Sequence, residues 1–284
     1  MPNDATDPVA ALLRVLDMER RDDDLFHAQV DQQEGRLFGG LVLAQAVTAA
    51  GRTVTDGTIH SFHAYFLRPG KPIEPIDYHV ERVRDGRTFT TRRISAIQAG
   101  DMIFEATVSF ARPEPGISYQ PPMPAAPDPE GLPTWWESVA SQRPEEAAHH
   151  RRHRDWPRPV ELYTAVPAEQ GELPTRSVWA KTTAPLPEDP LIHAAAMAYL
   201  SDSGLIATVA TRFGSWGPGG ASASLDHAMW FHHAPKFDGW LLFNSESPTA
   251  HNARALIFGS IWSPDGTRMA SVAQEGLVRT PRRS

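Results

Sequence analysis

Two long stretches of the chain are almost continuously apolar. The first is FGGLVLAQAVTAAGRTV, residues 38–54, and the second is HAAAMAYLSDSGLI, residues 193–206. Neither has the broad polar face of a surface helix, so both patterns predict helices that are buried on nearly every side. Helices of this kind need other elements packed around them, and the residues that follow each stretch supply those elements.

Four strand-like segments follow each apolar helix. Alternation of apolar and polar residues is clearest in the last segment of the first half, where Met102, Phe104 and Ala106 share one face. A helix followed by an antiparallel meander, present twice, predicts an α+β fold with a curved sheet wrapped around a central helix in each half. The predicted strands lie in residues 59–67, 76–86, 87–100 and 101–112, and again in 223–233, 239–248, 252–266 and 267–279.

The chain is therefore predicted to contain two tandem units. Residues 1–112 form the first unit and residues 176–284 form the second. Proline is frequent between them, so residues 113–175 are predicted to be a connecting segment.

The two halves align when the pair His63–Ala64 is matched with the pair His227–Ala228, which places Ser224 opposite His60. The helices align when TAAG is matched with SDSG, which places Asp202 opposite Ala49. The first half thus has a small apolar residue where the second has a carboxylate, which indicates a local duty for that carboxylate.

Asp202 is unusual because helical spacing places it beside apolar neighbours such as Tyr199 and Leu205. Removing a carboxylate from water costs roughly several kcal/mol unless a partner compensates. Gln274 is similarly unusual, because it shares a strand face with the apolar Ala270 and Val272. Both residues are predicted to face the core.

Ser224 is the third polar candidate, predicted to lie on the same strand face as Ala228 and Trp230. A carboxylate, an amide and a hydroxyl together can hold one water molecule and deprotonate it. Asp202 would be the general base, while Gln274 and Ser224 would orient the water. A purely structural role, in which these groups satisfy nearby backbone atoms, remains an alternative at this point.

Composition narrows the choice of partners and cofactors. The net charge is −7, so no nucleic acid partner is expected, and the chain has no cysteine, which excludes disulfides and cysteine nucleophiles. The amino terminus does not resemble a signal peptide and no apolar run is long enough to span a bilayer, so a cytoplasmic protein without membrane insertion is predicted. No cofactor or metal is expected, even at the histidine-rich segment 149–154, because neighbouring arginines would repel a cation.

Five segments resemble the motifs of the bacterial acyl-CoA thioesterase II family and its peroxisomal relatives. The resemblance runs in order along nearly the whole chain and implies a double hotdog fold that hydrolyses acyl-CoA, of medium or long chain, to a free fatty acid and coenzyme A. It also implies a homo-oligomer. The segments are FGGLVLAQA, HSFHAYFLRPG, DGRTFTTRRISAIQAG, SLDHAMWFH and ASVAQEGLVR.

Matched motif by motif, the catalytic residues of that family fall on Asp202, Ser224 and Gln274. The resemblance implies that they bind the water that attacks the thioester, without a covalent acyl-enzyme. Ser224 is a serine where the bacterial type member has threonine, so the hydroxyl is retained. The segment RFGSWGPGG departs more from the pattern, so preference for chain length does not carry over.

Three other functions are weighed against this interpretation. A serine hydrolase would need a G-x-S-x-G elbow, which does not occur. A hydratase or dehydratase would need an Asp–His pair, and His227 is near Ser224, but His63 at the matching place in the other half indicates a structural histidine. A non-catalytic acyl-CoA-binding protein would bind without turnover.

Two weaker assignments concern substrate contacts. The N–H groups of Gly39 and Gly40, at the start of the first apolar helix, could face the oxyanion, although close packing at a helix start is the simpler explanation of two glycines. Four arginines are candidates for the phosphates of coenzyme A, with ordinary surface charge as the alternative: Arg68, Arg92, Arg93 and Arg254.

Overall fold

The computed structural model describes residues 7–30, 37–142, 158–166, 173–213 and 221–279. The histidine-rich segment 149–154 and most of RFGSWGPGG lie outside the described residues. No helix in the described ranges has the length and apolar character required to cross a bilayer.

In the described residues, the first half of the chain contains two helices and six strands. Its central helix, α2, coincides with the first apolar stretch, and the four predicted strands are present as β3 to β6. The elements are α1 (Pro8–Leu16), β1 (Glu19–Asp22), β2 (Leu25–Ala28), α2 (Gly39–Gly51), β3 (Thr58–Phe66), β4 (Ile76–Asp85), β5 (Phe89–Gln98) and β6 (Asp101–Ala111).

The described part of the second half has a similar order, with its own central helix, α4, and with an additional helix and short strand after it. The elements are α3 (Trp135–Gln142), β7 (Val160–Val166), β8 (Thr175–Thr182), α4 (Pro190–Ser201), α5 (Ala207–Phe213), β9 (Ala221–Ser224), β10 (Asp226–Phe231), β11 (Trp240–His251), β12 (Arg254–Trp262) and β13 (Arg268–Arg279).

The range predicted as a connecting segment contains both α3 and β7, and β7 extends the sheet by pairing with β8. Earlier in this range, Met123, Ala126 and Leu132 pack against a buried cluster that includes Trp179. The indole Nε1 of Trp179 also donates a hydrogen bond of 2.8 Å to the backbone oxygen of Pro127. This part of the segment is thus held on the sheet of the second half.

The two central helices pack directly against each other. Their close approach requires glycine, because a Cβ on Gly40 would lie 2.6 Å from the carbonyl oxygen of Tyr199, and a Cβ on Gly51 would lie 2.3 Å from the side chain of Leu191. Helix α4 begins at Pro190, and the side chain of Asp189 caps it by accepting a 2.9 Å hydrogen bond from the N–H of Leu191.

Helix α4 is shorter than its apolar pattern predicts. It ends at Ser201, and Asp202 is the C-cap residue with φ −92° and ψ −7°. Gly204 follows with φ +74°, a conformation that favours glycine and turns the chain out of the helix. Asp202 therefore lies at the end of the helix rather than within it, although its side chain is buried as predicted.

The strands of both halves form one continuous antiparallel sheet. Its order is β1-β2-β4-β5-β6-β3-β10-β13-β12-β11-β8-β7, and the short strand β9 pairs with the end of β13. The halves meet where β3 pairs with β10. The sheet encloses the two helices, whose residues contribute to a common buried core.

The β3–β10 pairing corrects the alignment of the two histidines. His227 lies opposite Ala64 and both are buried, whereas His63 lies opposite Ala228 and is exposed on the other face. A shift of one residue along a strand reverses the face of a side chain, so matching His63 with His227 was wrong by one position. The buried residues on either side of His63 are Ala64, which lies opposite His227, and Phe62, whose ring stacks on that of His227 with centroids 5.9 Å apart.

Candidate active site

Asp202 lies where the end of α4 meets the first turn of α2. Its side chain is only 9% exposed. One carboxylate oxygen, Oδ1, accepts a hydrogen bond of 3.2 Å from Oγ of Ser224, and the backbone N–H of Gly40 donates a second bond to the carboxylate. The carboxylate thus comes from the second half of the chain and one of its donors comes from the first.

Ser224 is the last residue of β9, where it lies opposite Gly276 of β13. Leu225 separates β9 from β10, so Ser224 is not on one continuous strand with Ala228 and Trp230 as predicted. The break between the strands changes the direction of the Ser224 side chain, and the hydroxyl of Ser224 faces Asp202 instead.

Gln274 is two residues before Gly276 on β13, so its side chain is on the same face of the strand, and it is completely buried. Its Nε2 lies 3.1 Å from Oγ of Ser224 and donates a hydrogen bond to it. The structure therefore brings together all three residues that the sequence selected: Asp202, Ser224 and Gln274.

His227 is a fourth polar residue of this cluster, which the sequence interpretation regarded as structural. Its Nδ1 lies 2.6 Å from Oε1 of Gln274, and its Nε2 lies 2.8 Å from Oγ of Ser201. The ring is 1% exposed. The sequence did contain a signal that His227 faces the core, because strand alternation places it on the same face as Met229 and Phe231, both large and apolar.

Burial controls the protonation of both titratable groups in the cluster. It raises the pKa of Asp202 from 3.8 to about 7, and the hydrogen bonds from Ser224 and Gly40 offset only part of this rise. Burial lowers the pKa of His227 to about 4, against a smaller opposing effect of the bond to Gln274. Near neutral pH the histidine is therefore neutral, while Asp202 exchanges readily between its two protonation states.

The surroundings of the carboxylate are largely aromatic. A Cβ added to Gly39 would lie 2.7 Å from Oδ2 of Asp202 and 3.0 Å from the ring of Phe66. Phe38, just before Gly39, packs edge-on against Tyr199 with ring centroids 4.9 Å apart. These rings keep the carboxylate away from bulk water, which is the physical cause of its raised pKa.

One of the two glycine N–H groups at this helix start has a partner within the chain. The N–H of Gly40 donates a hydrogen bond to the carboxylate of Asp202. A helix N-terminus favours negative charge, so α2 stabilises the ionised form of a carboxylate that burial disfavours.

The four candidate arginines are all engaged within the chain. Arg92 is 1% exposed and binds Thr53 and Asp85, so it cannot reach a ligand outside the core. The other three are exposed but also have partners: Arg68 binds the backbone oxygen of Met102, Arg93 binds Glu81, and Arg254 binds Glu275.

This arrangement can activate water. Asp202 is a base whose pKa is close to neutral, the range in which a general base is most effective. Ser224 and Gln274 carry hydroxyl and amide groups that can orient a water molecule beside it. Neither nitrogen of His227 contacts Asp202 or Ser224, because both are engaged with Gln274 and Ser201.

Comparison with known proteins identifies the family of the chain. Residues 148–277 match the family model for acyl-CoA thioesterase, and residues 26–111 match the model for the acyl-CoA thioesterase N-terminal domain. The chain is 34% identical to acyl-coenzyme A thioesterase 8 of Mus musculus, over 93% of this chain and 88% of the relative. It is 35% identical to acyl-CoA thioesterase 2 of Haemophilus influenzae, over 94% and 96%.

Solved structures show the same likeness. An acyl-CoA thioesterase II of Mycobacterium marinum is 37% identical, with a TM-score of 0.80 over 95% of this chain and 98% of that one. A hot dog fold protein of Alicyclobacillus acidocaldarius, 20% identical, shares the fold with a TM-score of 0.75 over 96% and 99%. The predicted double hotdog fold is confirmed, and the chain belongs to the acyl-CoA thioesterase II family.

Proposed function

We propose that this chain hydrolyses acyl-CoA to a free fatty acid and coenzyme A, with Asp202, Ser224 and Gln274 as its catalytic residues. The observation that carries the proposal is the hydrogen-bonded series of these three side chains, which ends on a buried carboxylate with a pKa of about 7. Membership of the acyl-CoA thioesterase II family supports the same reaction.

The reaction needs one water molecule as nucleophile. Asp202 accepts a proton from it as its oxygen attacks the thioester carbonyl carbon, and Ser224 and Gln274 orient it. The resulting tetrahedral intermediate then loses the thiolate of coenzyme A as the C–S bond breaks. The proton passes from Asp202 to the departing thiolate, which returns the carboxylate to its starting state without an acyl-enzyme.

The acyl group is proposed to be of medium or long chain. Apolar side chains next to the catalytic residues support this, because a fatty acyl group needs an apolar site. Phe66 lies against Gly39 beside Asp202, and Ile206 lies against Gly276 beside Ser224, where a Cβ on the glycine would be 2.9 Å away.

We further propose that the protein is a homo-oligomer. Support comes from the outer face of the sheet where the halves meet, on which Tyr65 is 56% exposed, Trp230 is 37% exposed and Phe258 is 43% exposed. His63 lies on the same face and contacts Trp230 edge-on. Large apolar side chains grouped on an exposed face are typical of association surfaces.

The division of the chain into units and the cellular location of the protein are also proposals. Residues 1–112 and 176–284 are the two hotdog units and 113–175 connects them, with all three catalytic residues in the second unit. The proposed location is the cytoplasm, which the likeness to a bacterial acyl-CoA thioesterase supports.

The direct test is release of free coenzyme A, followed with a thiol reagent across acyl-CoA substrates of increasing chain length. The protein has no cysteine and contributes no thiol background. We expect turnover by the wild type and a loss of about 10²- to 10⁴-fold in Asp202→Asn, the range for general-base catalysis. Asp238→Asn, at a side chain that is 72% exposed, is the matched control and should keep full activity.

Two further measurements on the wild type, acyl-CoA binding and addition of water to an enoyl-CoA, separate the alternatives. Acyl-CoA binding without release of thiol by the wild type would make the chain a non-catalytic binder. Addition of water to an enoyl-CoA, with the thioester left intact, would make it a hydratase. Full activity in Asp202→Asn would remove Asp202 from the role of base.

A further inference from the structure

Five side chains form a continuous series of hydrogen bonds whose two ends, Ser201 and Asp202, are adjacent in the sequence. Oγ of Ser201 lies 2.8 Å from Nε2 of His227, and Nδ1 of His227 lies 2.6 Å from Oε1 of Gln274. Nε2 of Gln274 lies 3.1 Å from Oγ of Ser224, which lies 3.2 Å from Oδ1 of Asp202. The proposed catalytic residues occupy one end of this series, and His227 lies in its middle.

The ionised carboxylate determines the direction of every bond in the series. A carboxylate can only accept, so Ser224 must give its single hydroxyl proton to Asp202. The oxygen of Ser224 can then only accept from Gln274, which must present its NH₂ group to the serine. The carbonyl oxygen of Gln274 therefore faces the histidine.

His227 must in turn carry its proton on Nδ1, because a carbonyl oxygen can only accept. Nε2 is left without a proton and accepts from the hydroxyl of Ser201. That hydroxyl also lies 2.8 Å from the backbone oxygen of Ala198, but its one proton cannot serve both acceptors. Burial of the ring keeps it neutral, so the alternative in which both nitrogens donate is excluded near neutral pH.

We propose that His227 is a positioning residue, whose Nδ1–H holds the amide of Gln274 with its NH₂ group toward Ser224 and the attacking water. The proposal rests on the proposed function and extends it. An unrestrained amide can turn by 180°, which exchanges NH₂ and oxygen at little cost in shape. A turned amide would present an acceptor to the water and to the serine, and the second N–H of Gln274 could no longer orient the nucleophile.

The surroundings of the ring hold it in one orientation. It is 1% exposed and stacks on Phe62 with an interplanar angle of 17°. Its two nitrogens are engaged by residues of two different elements, Ser201 of α4 and Gln274 of β13. A ring restrained in this way cannot rotate without breaking both bonds, so the amide that it holds is restrained as well.

The test compares two replacements of His227, each of which retains a polar group at the place of one of the two imidazole nitrogens. The amide of asparagine can occupy the place of Nδ1, whereas that of glutamine extends to the place of Nε2. We expect His227→Asn to keep kcat within a few-fold of the wild type. His227→Gln should lower kcat about 10- to 100-fold, the range for a misplaced group, with KM within twofold.

The control is His232→Gln, the same exchange at a histidine just beyond β10. This histidine also binds a serine, because its Nε2 lies 2.7 Å from Oγ of Ser271. The control exchange should leave both kcat and KM unchanged. Thermal unfolding of each variant shows whether a loss of kcat merely follows a loss of fold. Equal losses of kcat in His227→Asn and His227→Gln that scale with their unfolding temperatures would overturn the proposal in favour of a structural histidine.

A second measurement does not depend on turnover. Nitrogen-15 NMR of the wild-type imidazole at pH 8 should show a protonated Nδ1 and an unprotonated Nε2 on His227. The opposite tautomer would overturn the proposal even if the variants lost activity. A wild-type protein without thioesterase activity would instead overturn the proposed function, and the tautomer would still decide whether His227 donates to Gln274.

Discussion

Gly39 lies so close to Asp202 that a Cβ at this glycine would be 2.7 Å from Oδ2 of the carboxylate. The two residues belong to different halves of the chain, since Gly39 begins the central helix of the first half and Asp202 is the C-cap residue of the central helix of the second. The packing of one central helix against the other therefore creates the environment of the carboxylate. Neither half has this environment by itself.

Replacement of Gly39 by alanine should displace the carboxylate. The new methyl group would also lie 3.0 Å from the ring of Phe66, so it has little free space to occupy. We expect kcat to fall about 10- to 100-fold, because a displaced base loses alignment with its water, and stability to fall by about 1–3 kcal/mol from overpacking. Steady-state kinetics and urea unfolding measure the two effects.

Gly116→Ala is the matched control, since Gly116 is exposed and has nothing within 4 Å of its Cβ position. It should change neither kcat nor stability. An alanine at residue 39 that kept wild-type kcat would show that the carboxylate tolerates displacement.

The pH dependence of kcat/KM should follow the ionisation of Asp202. Its pKa is raised to about 7 by burial, and only the ionised form accepts a proton. Below pH 7 we expect kcat/KM to fall about tenfold per pH unit, and above pH 8 it should be level. His227 does not interfere, because its pKa is about 4. A profile that is level down to pH 5 would contradict the raised pKa, and the residual rate of Asp202→Asn should lack this transition.

The raised pKa also predicts how Asp202→Asn changes stability. Between pH 4 and pH 7 the folded state retains a proton that the unfolded state has lost, so ionisation of Asp202 makes the folded state less stable as the pH rises. From pH 5 to pH 8 the free energy of unfolding of Asp202→Asn should gain about 2–3 kcal/mol relative to the wild type. Urea unfolding of both proteins at the two pH values measures the difference, and a constant difference would argue against a buried carboxylate.

Hydrophobic pattern is sufficient to predict the two central helices and the strands after them. These elements are buried on one face or on all sides, and burial leaves a regular signal in the sequence. Asp202 and Gln274 can be selected in the same way, because each interrupts an otherwise apolar face. The end of α4 at Ser201 is harder to place, since the apolar run continues beyond it to Ile206.

Contacts between distant strands leave a much weaker signal. The alignment of His63 with His227 failed because the face of each residue depends on how β3 pairs with β10, which no local pattern determines. The partners of His227 lie on α4 and β13, so its hydrogen bonds emerge only when the chain is folded. Arg92 shows the same limit, because a charged residue on a strand gives no local indication of burial.

Arg92→Ala should lower stability without weakening acyl-CoA binding. The guanidinium joins the residues after α2 to the β4–β5 hairpin, through Nε to Oγ1 of Thr53 at 2.8 Å and through Nη2 to Oδ1 of Asp85 at 2.6 Å. Loss of these buried bonds should cost about 2–4 kcal/mol. The neighbouring Arg93→Ala, which removes an exposed pair with Glu81, should cost under about 1 kcal/mol. A rise in KM specific to Arg92→Ala would instead return this residue to the substrate site.

Ser224 provides the sharpest test of the hydroxyl in the site. Ser224→Ala removes both the donor to Asp202 and the acceptor for Gln274, so two buried polar groups lose a partner at once. We expect kcat to fall about 10- to 1000-fold, the range for lost positioning. Ser224→Thr restores the hydroxyl on a side chain with fewer rotamers and should keep kcat within a few-fold of the wild type. If threonine were as inactive as alanine, shape at this position would matter more than the hydroxyl, and the role of Ser224 in holding water would have to be abandoned.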